Sequence, residues 1–441
     1  MEGSKVAGKC IFHCELSAPL YYRIKSGAGR PVYSALLIKK IFKSDKALKH
    51  WFFTHSKRSP RRPGLAAAIL ILLFNTALYF PRTTADTLAQ IKSSNNLNID
   101  QSAISISGLS SGGFMAVQYH LAHSSELTGV ASVAGGPYHC AATPSFFCDY
   151  MLWFLPRGVC NASYRCTATA KKLLPFGFYM GPPDHEDSVD SALALAEAGL
   201  IDPLNGLNND RVWIFTSGQP NKTPRDTLVP HEIAVQLKDF YQALYNQSEA
   251  VEGGDLVFVD SVQAEHSMVI DDPTRDDNCD AFGHPFIDDC SYNTAQQLLD
   301  HLYPNSVKQL ATSQGQLLSF DQQALPQATM ADTGHIYVPA ACRQTTCPLH
   351  IALHGCGQTQ TMIDAALPEP ERLYFYRDTG YNSWADTANV VMLYPQAAAS
   401  EDNENGCWDW WGYSSEDFHN QRAPQILSIR SMVQALTGPG D

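Results

Sequence analysis

The sequence predicts an α/β fold in which a mostly parallel sheet is flanked by helices, and three observations lead there. Short apolar runs of strand length alternate with helix-period stretches from about Asn98 onward. A Gly/Ser-rich turn joins the first of these runs directly to the first helical stretch. No internal repeat, low-complexity tract or Ser/Pro/Gly-rich linker follows residue 86, so 86–441 reads as one catalytic domain. Of 441 residues, 44% are hydrophobic and 17% charged, which excludes a disordered chain, a collagen-like fibre and a polytopic membrane protein.

Ahead of that domain the charge changes sign. Residues 1–64 hold 14 Lys and Arg against three acidic residues; the remainder carries 17 bases and 41 acids, a net −24. An acidic body repels phosphate backbones, so no nucleic-acid partner is expected. The basic stretch 57–62 precedes an apolar run, Leu65–Phe80, and then small residues as far as Ala85. That run is shorter than the ~20 residues a spanning helix needs, and its flanks are those of an export signal. Residues 57–85 are therefore read as a signal peptide and the product as secreted or periplasmic, a monomer with no stable membrane partner. Residues 1–56 lie upstream of the signal, and no Met occurs between Met1 and Met115, so this extension is read as an artefact of the gene model.

Strands are expected at 103–107, 129–133, 211–215, 256–259, 349–353 and 390–394, each a short run rich in β-branched, aliphatic or aromatic residues. Helical periodicity fills 114–121, 230–245, 294–302 and 424–436. The Cys- and Pro-rich stretches 137–185 and 271–292 read as insertions. Leaving aside Cys10 and Cys14, ten cysteines remain. Eight form close couples, Cys140/Cys148, Cys160/Cys166, Cys279/Cys290 and Cys342/Cys347, and Cys356 and Cys407 are left for a long-range bond. No couple has zinc-ligand spacing, so disulfides are expected rather than a metal site, with connectivity left open.

Gly108-Leu-Ser-Ser-Gly112 fits G-x-S-x-G between a strand and a helix. At such a corner Ser110 projects above the sheet as a nucleophile, and the amide of Ser111 faces the same space. A serine nucleophile needs a base and a group that orients it. Asp226 follows the strand 211–215 and His266 follows 256–259, in the order acid then base; Glu265 and Asp260 remain alternatives for the acid. A second oxyanion donor is offered by Leu353-His-Gly-Cys356-Gly, an H-G-x-G turn after a buried strand, through the amide of Cys356. In α/β-hydrolases that turn precedes the nucleophile; here it comes more than 200 residues later. The fold expected is therefore a circularly permuted α/β-hydrolase. In Asn405-Gly-Cys-Trp-Asp-Trp-Trp411, alternation places Trp408 and Trp410 together on one side as an apolar substrate strip, with Trp411 on the other.

Ser-Gly-Leu-Ser-Ser-Gly-Gly (107–113), Gly-Gly-Pro-Tyr (135–138) with Cys140, Leu-His-Gly-Cys (353–356), Gly-Tyr-Asn-Ser-Trp-Ala-Asp (380–386), Leu-Tyr-Pro-Gln (393–396) and Asn-Gly-Cys-Trp-Asp-Trp (405–410) together resemble the poly(3-hydroxybutyrate) depolymerases, in their circularly permuted catalytic type. The resemblance runs over about 98–437. It implies Ser110, Asp226 and His266 as the triad, Ser111 and Cys356 as oxyanion amides, Trp410 as a subsite residue and Asn405 as a polar substrate contact. It also implies ester hydrolysis of short-chain polyhydroxyalkanoates without metal or cofactor. Through Asp441 there is no Thr-rich or fibronectin-like linker, so amorphous polymer or soluble oligomers are the expected substrates. A feruloyl- or acetyl-esterase, a polyamide hydrolase and a catalytically degenerate polymer-binding protein are the alternatives.

Overall fold

Strand β1 (Asn98–Leu109) is the centre on which the sheet is built. A computed structural model describes residues 85–438, apart from 248–250, 252, 275–278, 307, 309–313 and 324–328. The extension 1–56 and the signal segment up to residue 84 lie outside the described residues, all of which belong to one compact unit, Arg82–Asp441.

On one side of β1 stand β2 (Gly129–Val133), β3 (Arg211–Phe215) and β4 (Asp255–Val259), all parallel. On the other side β9 (Thr346–Leu353) and β10 (Val391–Tyr394) continue the parallel sheet. The edge is antiparallel, made by β8 (Thr333–Val338) and β7 (Gln316–Asp321). The order is β4-β3-β2-β1-β9-β10-β8-β7. The chain enters the sheet at its middle and reaches the β7–β8 edge late. That is the rotated order of a circularly permuted α/β-hydrolase. The antiparallel edge and a separate short parallel pair, β5 (Met268–Ile270) with β6 (Ile287–Asp289), were not expected from the sequence.

Alternation along the strands feeds two cores, one on each face. Ile104, Ile106, Val212, Ile214, Ile351 and Leu393 pack with α2 (Ser111–Ala122), α3 (His231–Gln247) and α6 (Pro424–Thr437), beside the N-terminal α1 (Leu88–Ser94). Trp213, Phe215, Ala352, Met392 and Tyr394 pack with α4 (Thr294–Leu302) and α5 (Tyr381–Ala388). In β1 the alternating serines face no solvent. Ser105 and Ser107 are fully buried and hold Nδ1 and Nε2 of His350 on β9, each at 2.7 Å. Tyr303 and Tyr381 complete the network at the same distance. Buried polar groups must be paired, and this pairing holds the register of β1 against β9.

Five disulfides are present among the described residues. Cys279–Cys290, Cys342–Cys347 and the long-range Cys356–Cys407 join as the sequence spacing suggested. The couples Cys140/Cys148 and Cys160/Cys166 are re-paired as Cys140–Cys166 and Cys148–Cys160. The segment doubles back through short helical turns, so outer cysteine meets outer and inner meets inner. No helix among the described residues is long and apolar enough to cross a membrane.

Candidate active site

Strand β1 ends at Leu109 and helix α2 begins at Ser111, which leaves Ser110 at the corner with φ 56° and ψ −120°. A non-glycine residue held there costs of the order of 1–3 kcal/mol, so the surroundings must impose it. The Ser110 amide donates to the Val133 carbonyl at 2.8 Å, and its carbonyl accepts from the Phe114 amide at 3.0 Å. Close approach explains the flanking glycines. A Cβ at Gly108 would lie 2.2 Å from the Gly112 backbone, and one at Gly112 would lie 2.4 Å from the Leu353 carbonyl oxygen. The Ser110 side chain makes no capping bond to α2, so the helix N-terminus keeps donors directed at its own entrance.

Asp226 and His266 meet although 40 residues apart: Asp226 Oδ2 lies 2.7 Å from His266 Nδ1, with both side chains buried. The other carboxylate oxygen accepts from the Leu228 and Val229 amides, each at 2.8 Å, which orients the group within its own loop. The alternative acids are engaged elsewhere. Asp260 pairs with His231 at 3.1 Å, and Glu265 accepts from the Thr227 amide at 2.9 Å and its hydroxyl at 2.7 Å.

The H-G-x-G loop sits directly against the serine. A Cβ on Gly355 would be 3.3 Å from Ser110 Cβ. Gln358 accepts from the Gly355 amide at 2.7 Å and donates to the Pro285 and Phe286 carbonyls. The Gly357 amide donates to the Asn405 carbonyl at 2.8 Å, and the Cys356–Cys407 bond ties the loop to the Trp-rich segment. His354 is wholly buried, and burial pushes its imidazole down to about 4. Its neutral ring donates through Nδ1 to the Gly355 carbonyl and accepts from the Ala397 amide at Nε2, which sets the tautomer. In the sequence this histidine is only part of a motif; its task is set by the adjacent Gly355 carbonyl and by the Ala397 amide that tertiary contact brings to it.

Ser110, His266, Cys356 and Asn405 line one cavity of about 400 Å³. Its walls include Phe114, Val159, Phe282, Phe286, Trp410 and Trp411. Trp410 stacks on Phe114 with ring centroids 3.9 Å apart and stands edge-on to Trp411. The expected pairing of Trp408 with Trp410 is corrected here. Trp408 is fully buried in the opposite core against the His354 ring, and its amide donates to Ser111 Oγ at 3.3 Å. Residues 405–413 form no strand, so strand alternation does not apply, and the turn ending at Gly412 (φ 87°) brings Trp411 to the cavity instead. Among the described residues no group of three or more His, Cys, Asp or Glu could hold a metal ion.

No family profile matches the sequence. A poly(3-hydroxybutyrate) depolymerase of Delftia acidovorans is 34% identical over 348 residues, covering 77% of this chain and 61% of that protein. The chain thus spans about three-fifths of that relative's length. A polyhydroxybutyrate depolymerase of Talaromyces funiculosus is 28% identical over 356 residues, covering 77% of this chain and 91% of the relative. Two solved structures superpose with a TM-score of 0.61 at 28% identity: the PHB depolymerase from Penicillium funiculosum, and a PHB depolymerase variant complexed with an R3HB trimer. Each covers 80% of this chain and 99% of its own.

Proposed function

The chain belongs to the poly(3-hydroxybutyrate) depolymerase family, and from that premise we propose that it is an exported serine esterase that cleaves poly(3-hydroxybutyrate) or related short-chain polyhydroxyalkanoates and their oligomers. The observation that carries the reading is the convergence of a strained Ser110, the Asp226–His266 pair and the Cys356 loop on one apolar cavity.

In this mechanism His266 takes the Ser110 proton as the hydroxyl attacks the ester carbonyl, with Asp226 holding the Nδ1–H tautomer. The amides of Ser111 and Cys356 receive the oxyanion, a stabilisation of about 3–4 kcal/mol for each donor in comparable sites. Collapse of the tetrahedral adduct passes the proton from His266 to the leaving alkoxide and leaves an acyl group on Ser110. Water, deprotonated by His266, then attacks the acyl carbonyl; the acyl–Oγ bond breaks, His266 returns the proton to Ser110 Oγ, and the 3-hydroxyacyl product leaves as its carboxylic acid.

A polymeric substrate is favoured over a small ester by the insertion around 137–185. Twelve large hydrophobic side chains are exposed among the described residues, and ten fall between Phe146 and Met180, including Trp153 (76% exposed) and Phe176 (96%). Val159 belongs both to these exposed side chains and to the cavity wall. Exposed apolar side chains concentrated in one insertion beside a cavity point to a contact region. Export fits the five disulfides and the segment 57–85.

The test is clearance of amorphous poly(3-hydroxybutyrate) by the purified protein and by Ser110→Ala, with p-nitrophenyl butyrate as the small-ester control. Polymer clearance lost in Ser110→Ala is the expected result. Hydrolysis of the small ester alone would move the substrate to another esterase class, and full activity in Ser110→Ala would overturn the site.

A further inference from the structure

Asp226 and His266 sit on separate loops whose near ends are joined by the Gly218 amide donating to the Val262 carbonyl at 2.7 Å, and the two side chains themselves meet in one 2.7 Å contact. The amides of Leu228 and Val229 turn the Asp226 carboxylate correctly but do not set its distance from the His266 loop, since both belong to the Asp226 loop itself. The Gly218–Val262 bond lies eight residues before Asp226 and four before His266, so the spacing at the pair itself needs a nearer tie.

One residue along each loop, a second set of bonds does so. Thr227 follows Asp226, and Glu265 precedes His266. The Glu265 carboxylate accepts from the Thr227 amide at 2.9 Å and from the Thr227 hydroxyl at 2.7 and 2.9 Å. It also accepts from the His266 amide at 3.3 Å. Glu265 is only 7% exposed, and a carboxylate so far from water needs a counter-charge. Lys172 supplies it: Nζ lies 3.2 Å from Glu265 Oε1 and also donates to the Thr227 hydroxyl.

Lys172 belongs to neither loop. It stands on the helical turn Thr169–Leu173 of the aromatic insertion, and its ammonium lies 3.4 Å over the Phe282 ring, a wall of the cavity. A single ammonium thus joins the acid loop, the base loop, the insertion and the second insertion that carries Phe282. An ammonium held between a carboxylate and an aromatic face is well compensated out of water.

We propose that Glu265, Thr227 and Lys172 form a positioning clamp that sets the Asp226–His266 distance and ties it to the seating of the insertion over the cavity. The inference rests on the reading of Asp226 and His266 as acid and base. None of the three touches substrate; each acts through the pair beside it.

The test uses the whole protein on p-nitrophenyl butyrate, with active-site titration and thermal melting alongside. Thr227→Val keeps the volume and removes the hydroxyl. Its kcat per titrated serine is expected to fall about ten-fold with KM within about two-fold, since misplacement of reacting groups acts on the chemical step. Thr227→Ser, which restores the hydroxyl, should recover parental kcat. Glu265→Gln should lower kcat similarly, and the double variant should lose little more than either single one because the two share a contact. Parental kcat in folded Thr227→Val, or a loss confined to KM, overturns the clamp; should Glu265→Gln fail to fold, Thr227→Val decides alone. His266→Ala separates the two layers of argument: if it keeps parental kcat, the reading of the acid–base pair fails first and takes the clamp with it.

Discussion

Gly112→Ala is the sharpest probe of how the serine and the oxyanion loop are held together. A Cβ at this position would lie 2.4 Å from the Leu353 carbonyl oxygen and 2.5 Å from that of His354. Ordinary contact begins near 3.4 Å, so helix α2 and the end of β9 must part by about 1 Å. Neither neighbour is the flexible end of a side chain; both are backbone at the mouth of the H-G-x-G turn. The separation is transmitted to the space between the Ser111 and Cys356 amides. A misplacement of this size costs about 10²-fold in rate, and overpacking of this kind about 1–3 kcal/mol in stability. The assay is kcat on p-nitrophenyl butyrate per titrated serine, with denaturant melts to establish that the variant is folded. A folded Gly112→Ala with kcat within about three-fold of the parent would refute the reasoning, because helix and loop would then be free to separate without consequence.

Trp411→Ala should raise KM for a 3-hydroxybutyrate trimer about three- to ten-fold through the lost aromatic contact, whereas Trp408→Phe should lower the melting temperature and leave KM unchanged; equal effects on KM would return Trp408 to the cavity. Cys407→Ser opens a 51-residue disulfide loop and should lower unfolding free energy by up to about 4 kcal/mol, read from denaturant melts; no change would mean that the loop is pinned by its hydrogen bonds alone. Burial holds His335, His354 and His419 neutral, each down to about 4, and His350 down to about 3. Unfolding returns each to its ordinary value near 6.5, so between about pH 6.5 and 4 the unfolded chain binds more protons and stability falls as pH drops, by about 1.4 kcal/mol per pH unit for each imidazole. A melting temperature at pH 5 equal to or above that at pH 7 would contradict this.

Much of the fold was legible in the sequence, for reasons that differ by element. Runs such as Arg211–Phe215 and Leu349–Leu353 are largely apolar because both faces of a parallel strand are covered; the first coincides with β3, and the second is the C-terminal part of β9, which begins at Thr346. The antiparallel strands β7 and β8 give no clear strand signal in the sequence because polar residues such as Ser319 and His335 interrupt the pattern. Ser105 and Ser107 had the alternation of a half-exposed strand, yet the polar side of that strand meets His350 rather than water. The re-paired cysteines and the exchange of Trp408 for Trp411 have one origin. Both segments turn on themselves, and strand or nearest-neighbour logic fails where the backbone is not extended.

By itself the sequence determined the class of fold, its rotated order and the identities of the groups that converge, because local pattern and motif order are properties of the chain. Tertiary structure alone decided what engages the other two acids, which tryptophans reach the cavity and what holds the two loops in place. Asp226, Asp260 and Glu265 are all acids near a strand end, and the sequence favours Asp226 by its place before the next helix and by the resemblance. They are separated by which polar hydrogen each reaches, His266 for the first, His231 for the second and Thr227 for the third. Burial of a carboxylate is tolerated only where such a partner waits, and the partner is brought there by residues distant in the chain.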